Sequence, residues 1–210
     1  QIIHSTSIPL VVKADGLASG KGVFIPDSKE ECEKATESIF NGKFGNSGNV
    51  VVLEEKIHGP EVSVFALCDG TKYILLPTAQ DHKRLNENDK GPNTGGMGAY
   101  SPAPLLTKNY LARIIKEIIE PTINELNKKN IDYKGVIYFG LMITKSGPKV
   151  IEYNCRFGDP ECQTIMPLMD QSFVFLLEKC SMGNLIGSEK IDTSDTVSYT
   201  HLTLPTIGCV

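Results

Sequence analysis

Long apolar runs are missing from this 210-residue sequence, so nothing in it reads as a membrane span. The opening residues, Gln-Ile-Ile-His-Ser-Thr-Ser, carry neither a basic stretch nor an apolar core, which excludes reading them as a secretory signal. An excess of positive charge is missing too: 21 Lys and Arg face 25 Asp and Glu, a net charge of −4, where a non-specific nucleic-acid binder shows a basic stripe. Cysteine is sparse. The six stand at 32, 68, 155, 162, 180 and 209 without a Cys-x-x-Cys pair, and a reduced, cytoplasmic protein with free thiols is the simplest account. Internal repeats are absent as well.

What is present is a globular composition, 40% hydrophobic and 22% charged, enough for one sizeable domain or two small lobes. β-rich runs at 9–14, 22–25, 50–57, 61–69, 72–80, 135–144 and 148–154 alternate with helical ones, which gives an α+β class. Asp27 with Glu30 reads as a capping box opening a helix that stops near Gly42, and His58-Gly59-Pro60 as the turn joining two strands. Leu111, Ile114, Ile115, Ile118, Ile119, Ile123 and Leu126 recur at helical spacing, with Pro121 expected to kink the helix. Lys145-Ser146-Gly147 turns a hairpin of core strands, and a last helix spans 161–182 with a break near Pro167.

The most informative dozen residues read Val150-Ile-Glu-Tyr-Asn-Cys-Arg-Phe-Gly-Asp-Pro-Glu161. Strand alternation puts Glu152, Asn154 and Arg156 on one face, with Val150, Ile151 and Tyr153 as apolar partners. A carboxylate and an amide oxygen are hard donors suited to Mg²⁺, which takes one or two protein ligands and completes its shell with water and phosphate. Arg156 would then face the same phosphates. A buried Glu152–Arg156 ion pair is the plain structural alternative.

Three further segments carry chemistry. In Lys13-Ala-Asp-Gly-Leu-Ala-Ser-Gly-Lys-Gly22, glycines at 16, 20 and 22 allow close approach of backbone to phosphate, and Lys13 and Lys21 bring charge. The spacing is not that of a P-loop, Ile25 breaks Gly-x-Gly-x-x-Gly, and an ordinary glycine turn remains open. Around Glu54-Glu55-Lys56-Ile57 and Glu61, acids bracket a turn where a ribose and an adenine edge could be met, or where they are merely solvated. Asp81-His82-Lys83-Arg84 precedes a glycine-rich loop, Gly91-Pro-Asn-Thr-Gly-Gly-Met-Gly98, whose N–H groups suit a small anionic substrate; a flexible surface loop is the alternative. His82 has no second histidine nearby to make a metal site.

Taken together these motifs resemble the ATP-grasp superfamily and, within it, the glycinamide ribonucleotide synthetase family, over about residues 9–185. The resemblance implies two α+β lobes clasping ATP: a partial small lobe at 1–57, a large lobe at 58–196, and the family's N- and C-terminal domains missing. It implies ATP-dependent ligation of glycine to 5-phosphoribosylamine through a glycyl phosphate, in de novo purine synthesis. Lys13, Gly20, Lys21 and Gly22 would meet ATP phosphates, Glu54, Glu55, Lys56 and Ile57 the adenine, and Glu61 the ribose. Glu152 and Asn154 would hold Mg²⁺ or Mn²⁺, and Arg156 would neutralise the transferring phosphoryl group. Asp81, Lys83, Asn93, Thr94, Gly95, Gly96, Met97 and Gly98 would hold glycine and ribosylamine, with Asp159 and Glu161 completing the catalytic motif.

Nucleic acid and membrane are not among the implied partners; fusion to later purine-pathway enzymes is. Another ATP-grasp carboxylate–amine ligase, a carboxylase of purine synthesis, or a non-catalytic nucleotide-binding fragment are the competing readings. Many ATP-grasp enzymes take a further metal carboxylate from the preceding strand, but residues 135–144 contain none. After about residue 196 the likeness stops, and 198–210 reads as translated adapter sequence; a fragment of this kind is expected to be inactive alone.

Overall fold

The computed structural model describes residues 2–7, 9–18, 21–87, 90–169, 173–187 and 196–200. The chain divides into two compact units, Gln1–His58 and Gly59–Val210.

In the first unit a short helix α1 (Ile2–Ser5) precedes strands β1 (Leu10–Ala14) and β2 (Val23–Phe24), helix α2 (Lys29–Ser38) and strand β3 (Val51–Glu55), with sheet order β2-β1-β3. Alternation sorts the two faces. Leu10, Val12, Ala14, Phe24, Val51 and Leu53 pack with Cys32, Ala35 and Ile39, while Val11, Lys13, Val23, Val52 and Glu54 share the opposite face through cross-strand pairs. The helix cap is one residue later than expected. Ser28 accepts from the Glu31 amide at 3.1 Å, and the Glu31 carboxylate accepts from the Asp27 amide at 2.8 Å, so Ser28 and Glu31 take the capping roles expected of Asp27 and Glu30, with Glu31 reaching the amide one residue before the cap. Past α2 the chain continues through a wider turn, Ile39–Lys43, in which Gly42 leaves helical geometry at φ 91°.

The second unit is built on a four-stranded antiparallel sheet of order β5-β4-β8-β9, formed by β4 (Glu61–Asp69), β5 (Tyr73–Leu75), β8 (Lys134–Thr144) and β9 (Gly147–Asn154). Beside it run β6 (Gln80–Asn86) and β7 (Lys90–Ser101), paired with each other. The strands flanking His58-Gly59-Pro60 form no hairpin, because β3 pairs with β1 and β4 with β5 and β8. The glycine-rich run 91–98 is a strand, because its backbone groups pair with β6 across an irregular register. The expected strand at 72–80 shortens to β5, and β6 takes up its end.

One face of the large sheet carries α3 (Lys108–Ile114) and α4 (Glu120–Lys128), joined by a π-turn over Ile115–Ile119; the other carries α5 (Glu161–Ile165) and α6 (Phe173–Met182). Pro121 sits in the first turn of α4, where its missing N–H costs little; the Glu120 amide donates to the Ile115 carbonyl in the widened turn before it. Val62, Val64, Ala66, Ile137, Phe139 and Leu141 face α3 and α4, whereas Phe65, Leu67, Val136 and Tyr138 face α5 and α6, the period of two expected of a sheet covered on both sides. Ser198–Thr200, the first residues of the segment expected to be foreign, form β10 along β7.

No helix among the described residues is long and apolar enough to cross a membrane. Cysteines 32, 68, 155, 162 and 180 are free thiols.

Candidate functional site

The register of the large sheet builds the site. Cross-strand rows run Ser63, Gly140, Glu152 and Phe65, Tyr138, Asn154 on the α5 side. Glu152 reaches that face only because of a bulge. Leu141 pairs with Val150, yet Gly140 pairs with Glu152, so Ile151 is an extra residue on β9. Val150 packs toward α3 and α4; unbroken alternation would send Glu152 the same way, into apolar surroundings. The bulge turns Glu152 and Asn154 to the opposite face, while Tyr153 packs edge-on against Phe139 at 5.5 Å. Arg156 does not continue the row. The strand ends at Asn154, and the exposed guanidinium donates to the Phe157 carbonyl at 2.7 Å, so no Glu152–Arg156 pair forms.

Lys83 is the hub of the second unit. Its ammonium lies 3.5 Å from Glu61, 3.9 Å from Asp81 and 4.0 Å from Glu152. Burial would discharge it, but the oxygens of Tyr138, Glu61, Glu152 and Asp81 overcome this and hold its pKa above the ordinary value. Asp81 behaves oppositely. Its side chain is 5% exposed and Oδ1 has no hydrogen-bond partner among the described residues; burial first and then the Glu161 charge push its pKa up to about 7, against the pull of Lys83. Burial also raises Tyr138, with Lys83 opposing.

On β7, Gly96 has φ 116°, and a Cβ there would meet Pro160 Cδ at 2.7 Å and Asp81 Oδ1 at 3.4 Å, so glycine alone permits this close passage. Thr94 ties the pair together, donating to the Lys83 carbonyl at 2.8 Å and accepting from the Gly96 amide at 3.1 Å. Asn93 pairs with Arg84 and Gly98 with His82 in the ladder, with Gly95 and Met97 between. Asp159 is exposed and accepts from Gln163 at 3.0 Å, whereas Glu161 is 2% exposed and accepts from Ser63 Oγ at 2.9 Å. Ser63 and Tyr138 escaped the motif reading; their signal was a hydroxyl inside each of two apolar strand runs.

In the first unit Lys13 and Glu54 form a 2.6 Å ion pair on the sheet face away from α2. Lys56 is held by Asp27 at 2.6 Å and by the Pro26 carbonyl at 2.7 Å, while Glu55 is exposed and Ile57 half-buried. Lys21 is exposed at the β1–β2 turn. The space beside Gly22 is taken by Ala18 and Ala14, so its missing side chain serves packing of the turn. Gly20 lies outside the described residues.

Residues 1–162 match the family described as phosphoribosylglycinamide synthetase, ATP-grasp (A) domain. The chain belongs to that family. It is 50% identical over 187 residues to a phosphoribosylamine–glycine ligase of Leptospira interrogans serovar copenhageni, an alignment covering 88% of this chain and 44% of that protein. It is 48% identical over 200 residues to the trifunctional purine biosynthetic protein adenosine-3 of Gallus gallus, covering 94% of this chain and 20% of that one. A crystal structure of the phosphoribosylamine–glycine ligase of Thermotoga maritima superposes with a TM-score of 0.80 at 36% identity, covering 94% of this chain and 50% of that chain. A biotin carboxylase domain of Hydrogenobacter thermophilus, 20% identical with a TM-score of 0.65, over 94% of this chain and 42% of that one, shares the fold alone. The architecture is therefore the ATP-grasp fold, and this phosphoribosylglycinamide synthetase family member spans less than half the length of the Leptospira relative.

Among the described residues no cluster of three or more His, Cys, Asp or Glu forms a ready metal cage. Glu152 and Asn154, turned to one face by the bulge, instead offer two hard oxygens, a set that fits a divalent ion completed by water and phosphate.

Proposed function

We propose that the chain is the nucleotide-handling portion of an ATP-dependent carbon–nitrogen ligase that joins glycine to 5-phosphoribosylamine, yielding glycinamide ribonucleotide, ADP and phosphate in purine synthesis. The observation that carries this reading is the Lys83 hub, three carboxylates about one ammonium, of which Glu152 shares its sheet face with the amide oxygen of Asn154. Such a cluster favours a cationic amine and a metal-bound nucleotide over a neutral ligand. The ligase names of the half-identical relatives support it.

Glycine's carboxylate is a poor acyl donor, so its oxygen first attacks the γ-phosphorus of ATP and ADP leaves. The ribosylamine nitrogen then attacks the acyl carbon, phosphate departs, and the nitrogen gives up a proton. Positioning and charge neutralisation do most of the work in such a transfer. Lys13 and Lys21 on the first unit meet ATP phosphates and residues 54–57 the adenine, as the family resemblance implies. On the second unit Glu61 takes the ribose, Lys83 and the β7 backbone orient glycine, and Arg156 swings from the Phe157 carbonyl to the transferring phosphoryl group. Asp81, poised near neutrality, takes an N–H of the amine. Glu152 and Asn154 hold Mg²⁺ or Mn²⁺, which supplies charge neutralisation of the phosphates when bound.

Cytoplasmic operation follows from the substrates, and the trifunctional relatives of Gallus gallus and Bos taurus support fusion to later purine enzymes as one setting for this domain. The test is turnover of a full-length enzyme carrying this chain with ATP, glycine and freshly generated phosphoribosylamine. Amide product with matching ADP is expected; ATP use indifferent to glycine would exclude the ligase.

A further inference from the structure

Behind the Lys83 hub, two hydroxyls that belong to no motif join Glu161 in a buried polar chain. Ser63 on β4 and Tyr138 on β8 sit on the site face of the large sheet, and their hydroxyl oxygens are 3.1 Å apart. Ser63 Oγ also donates to Glu161 Oε1 at 2.9 Å. A serine hydroxyl has a single proton, and a carboxylate oxygen can only accept, so the tyrosine must donate to the serine. The order is therefore Tyr138 O–H to Ser63 Oγ, and Ser63 O–H to Glu161. All three groups are buried, where such a chain is strengthened by its surroundings and costly to break.

Glu161 is clamped from the other side as well. A Cβ at Gly158 would collide with both of its carboxylate oxygens, so the side chain lies directly on the glycine backbone. Immediately before it, Pro160 packs on Gly96 of β7, beside Asp81 of β6. Glu161 thus links the site face of the four-stranded sheet to the β6–β7 pair that supplies Asp81 and Lys83.

We propose that Ser63 and Tyr138 are positioning residues for the ligase reaction: by holding Glu161 they fix the β6–β7 pair so that Asp81 and Lys83 face Glu152. The electrostatics agree. Glu161 is a second buried carboxylate whose charge acts on Asp81, and the hydroxyl relay gives that charge a fixed partner and a fixed place.

The inference rests on the ligase reading and has its own test. In a full-length enzyme carrying this chain, Tyr138→Phe and Ser63→Ala are each expected to lower kcat about 10-fold to 100-fold, the loss usual when the supports of an active group are removed. The KM for ATP should stay within about twofold, since the relay does not touch the nucleotide. In the Glu161→Gln background both substitutions should lose most of their effect on kcat, because residues acting through one shared group are not additive. Melting temperatures measured alongside separate this from simple loss of fold, and Ser63→Ala carries the test if the phenylalanine variant is unstable. Independent, multiplicative losses with Glu161→Gln, or unchanged kcat in both single variants of an active enzyme, would overturn the relay while leaving the ligase reading intact. A wild-type enzyme that makes no amide product would instead count against the ligase reading itself.

Discussion

The ammonium of Lys83 lies 4.0 Å from the carboxylate of Glu152, although the two residues belong to different sheets. Their meeting depends on the bulge at Ile151, which turns Glu152 to the α5 face, and on Gly140, across which the Glu152 side chain passes.

Gly140→Ala tests that passage. A Cβ there would come 2.8 Å from Glu152 Cγ and 3.1 Å from the Tyr138 ring, so the Glu152 side chain must leave its present place. We expect kcat to fall about 10-fold to 100-fold with a raised Mg²⁺ requirement, at a stability cost of about 1–3 kcal/mol. Glu152→Gln should lower kcat by at least about 100-fold. Wild-type Mg²⁺ dependence in the alanine variant would show that Glu152 is not the group being placed.

Asp81 should leave a mark on the pH dependence of stability. Its carboxyl holds a proton up to about 7 in the folded protein, against an ordinary value of 3.8. Its contribution to stability is therefore fully present below that ordinary value and is lost as pH rises through about 7. Asp81→Asn keeps the shape and removes the titration, so the variant should gain on wild type between about pH 5 and pH 8 in urea unfolding, by roughly 1–4 kcal/mol. Parallel curves for the two proteins would contradict a raised Asp81.

Lys13 is paired with Glu54 at 2.6 Å. Lys13→Ala and Lys21→Ala should each raise the KM for ATP much more than that for glycine, as expected of groups that meet phosphate. Steady-state titration of each substrate decides it, and a selective loss of glycine affinity would reassign the loop.

Ser28→Ala removes the hydroxyl that caps α2 and should destabilise the protein by about 0.5–2 kcal/mol. Chemical unfolding measures this directly. A change within error would mean that Glu31 holds the helix start unaided.

Much of this was legible in residues alone. The β-rich runs 61–69 and 135–144 read as strands, the isoleucines of 114–123 read as a helix face, and Glu152 with Asn154 stood out as oxygens where hydrocarbon was due. What stayed hidden is a matter of register and long-range pairing. A bulge leaves no local signature, so nothing in the residues marks Ile151 as the extra one that separates Val150 from Glu152. The end of β9 at Asn154 likewise removed Arg156 from the row. Glycine-rich 91–98 looked like a loop because propensity describes isolated chain, whereas pairing with β6 decides the outcome. Ser63 and Tyr138 belong to no motif; only the fold places the Tyr138 hydroxyl on Ser63 and the Ser63 hydroxyl on Glu161, 98 positions away.

The central claim, that the Lys83 and Glu152 cluster serves phosphoryl transfer to glycine, is tested most directly by isotope. Glycine labelled with ¹⁸O in its carboxylate is turned over with ATP and phosphoribosylamine, and the released phosphate is analysed by mass. A glycyl phosphate requires one carboxylate oxygen to leave with phosphorus, so the account predicts one ¹⁸O in each phosphate, with formation lost in Glu152→Gln. Unlabelled phosphate formed alongside amide product would contradict it.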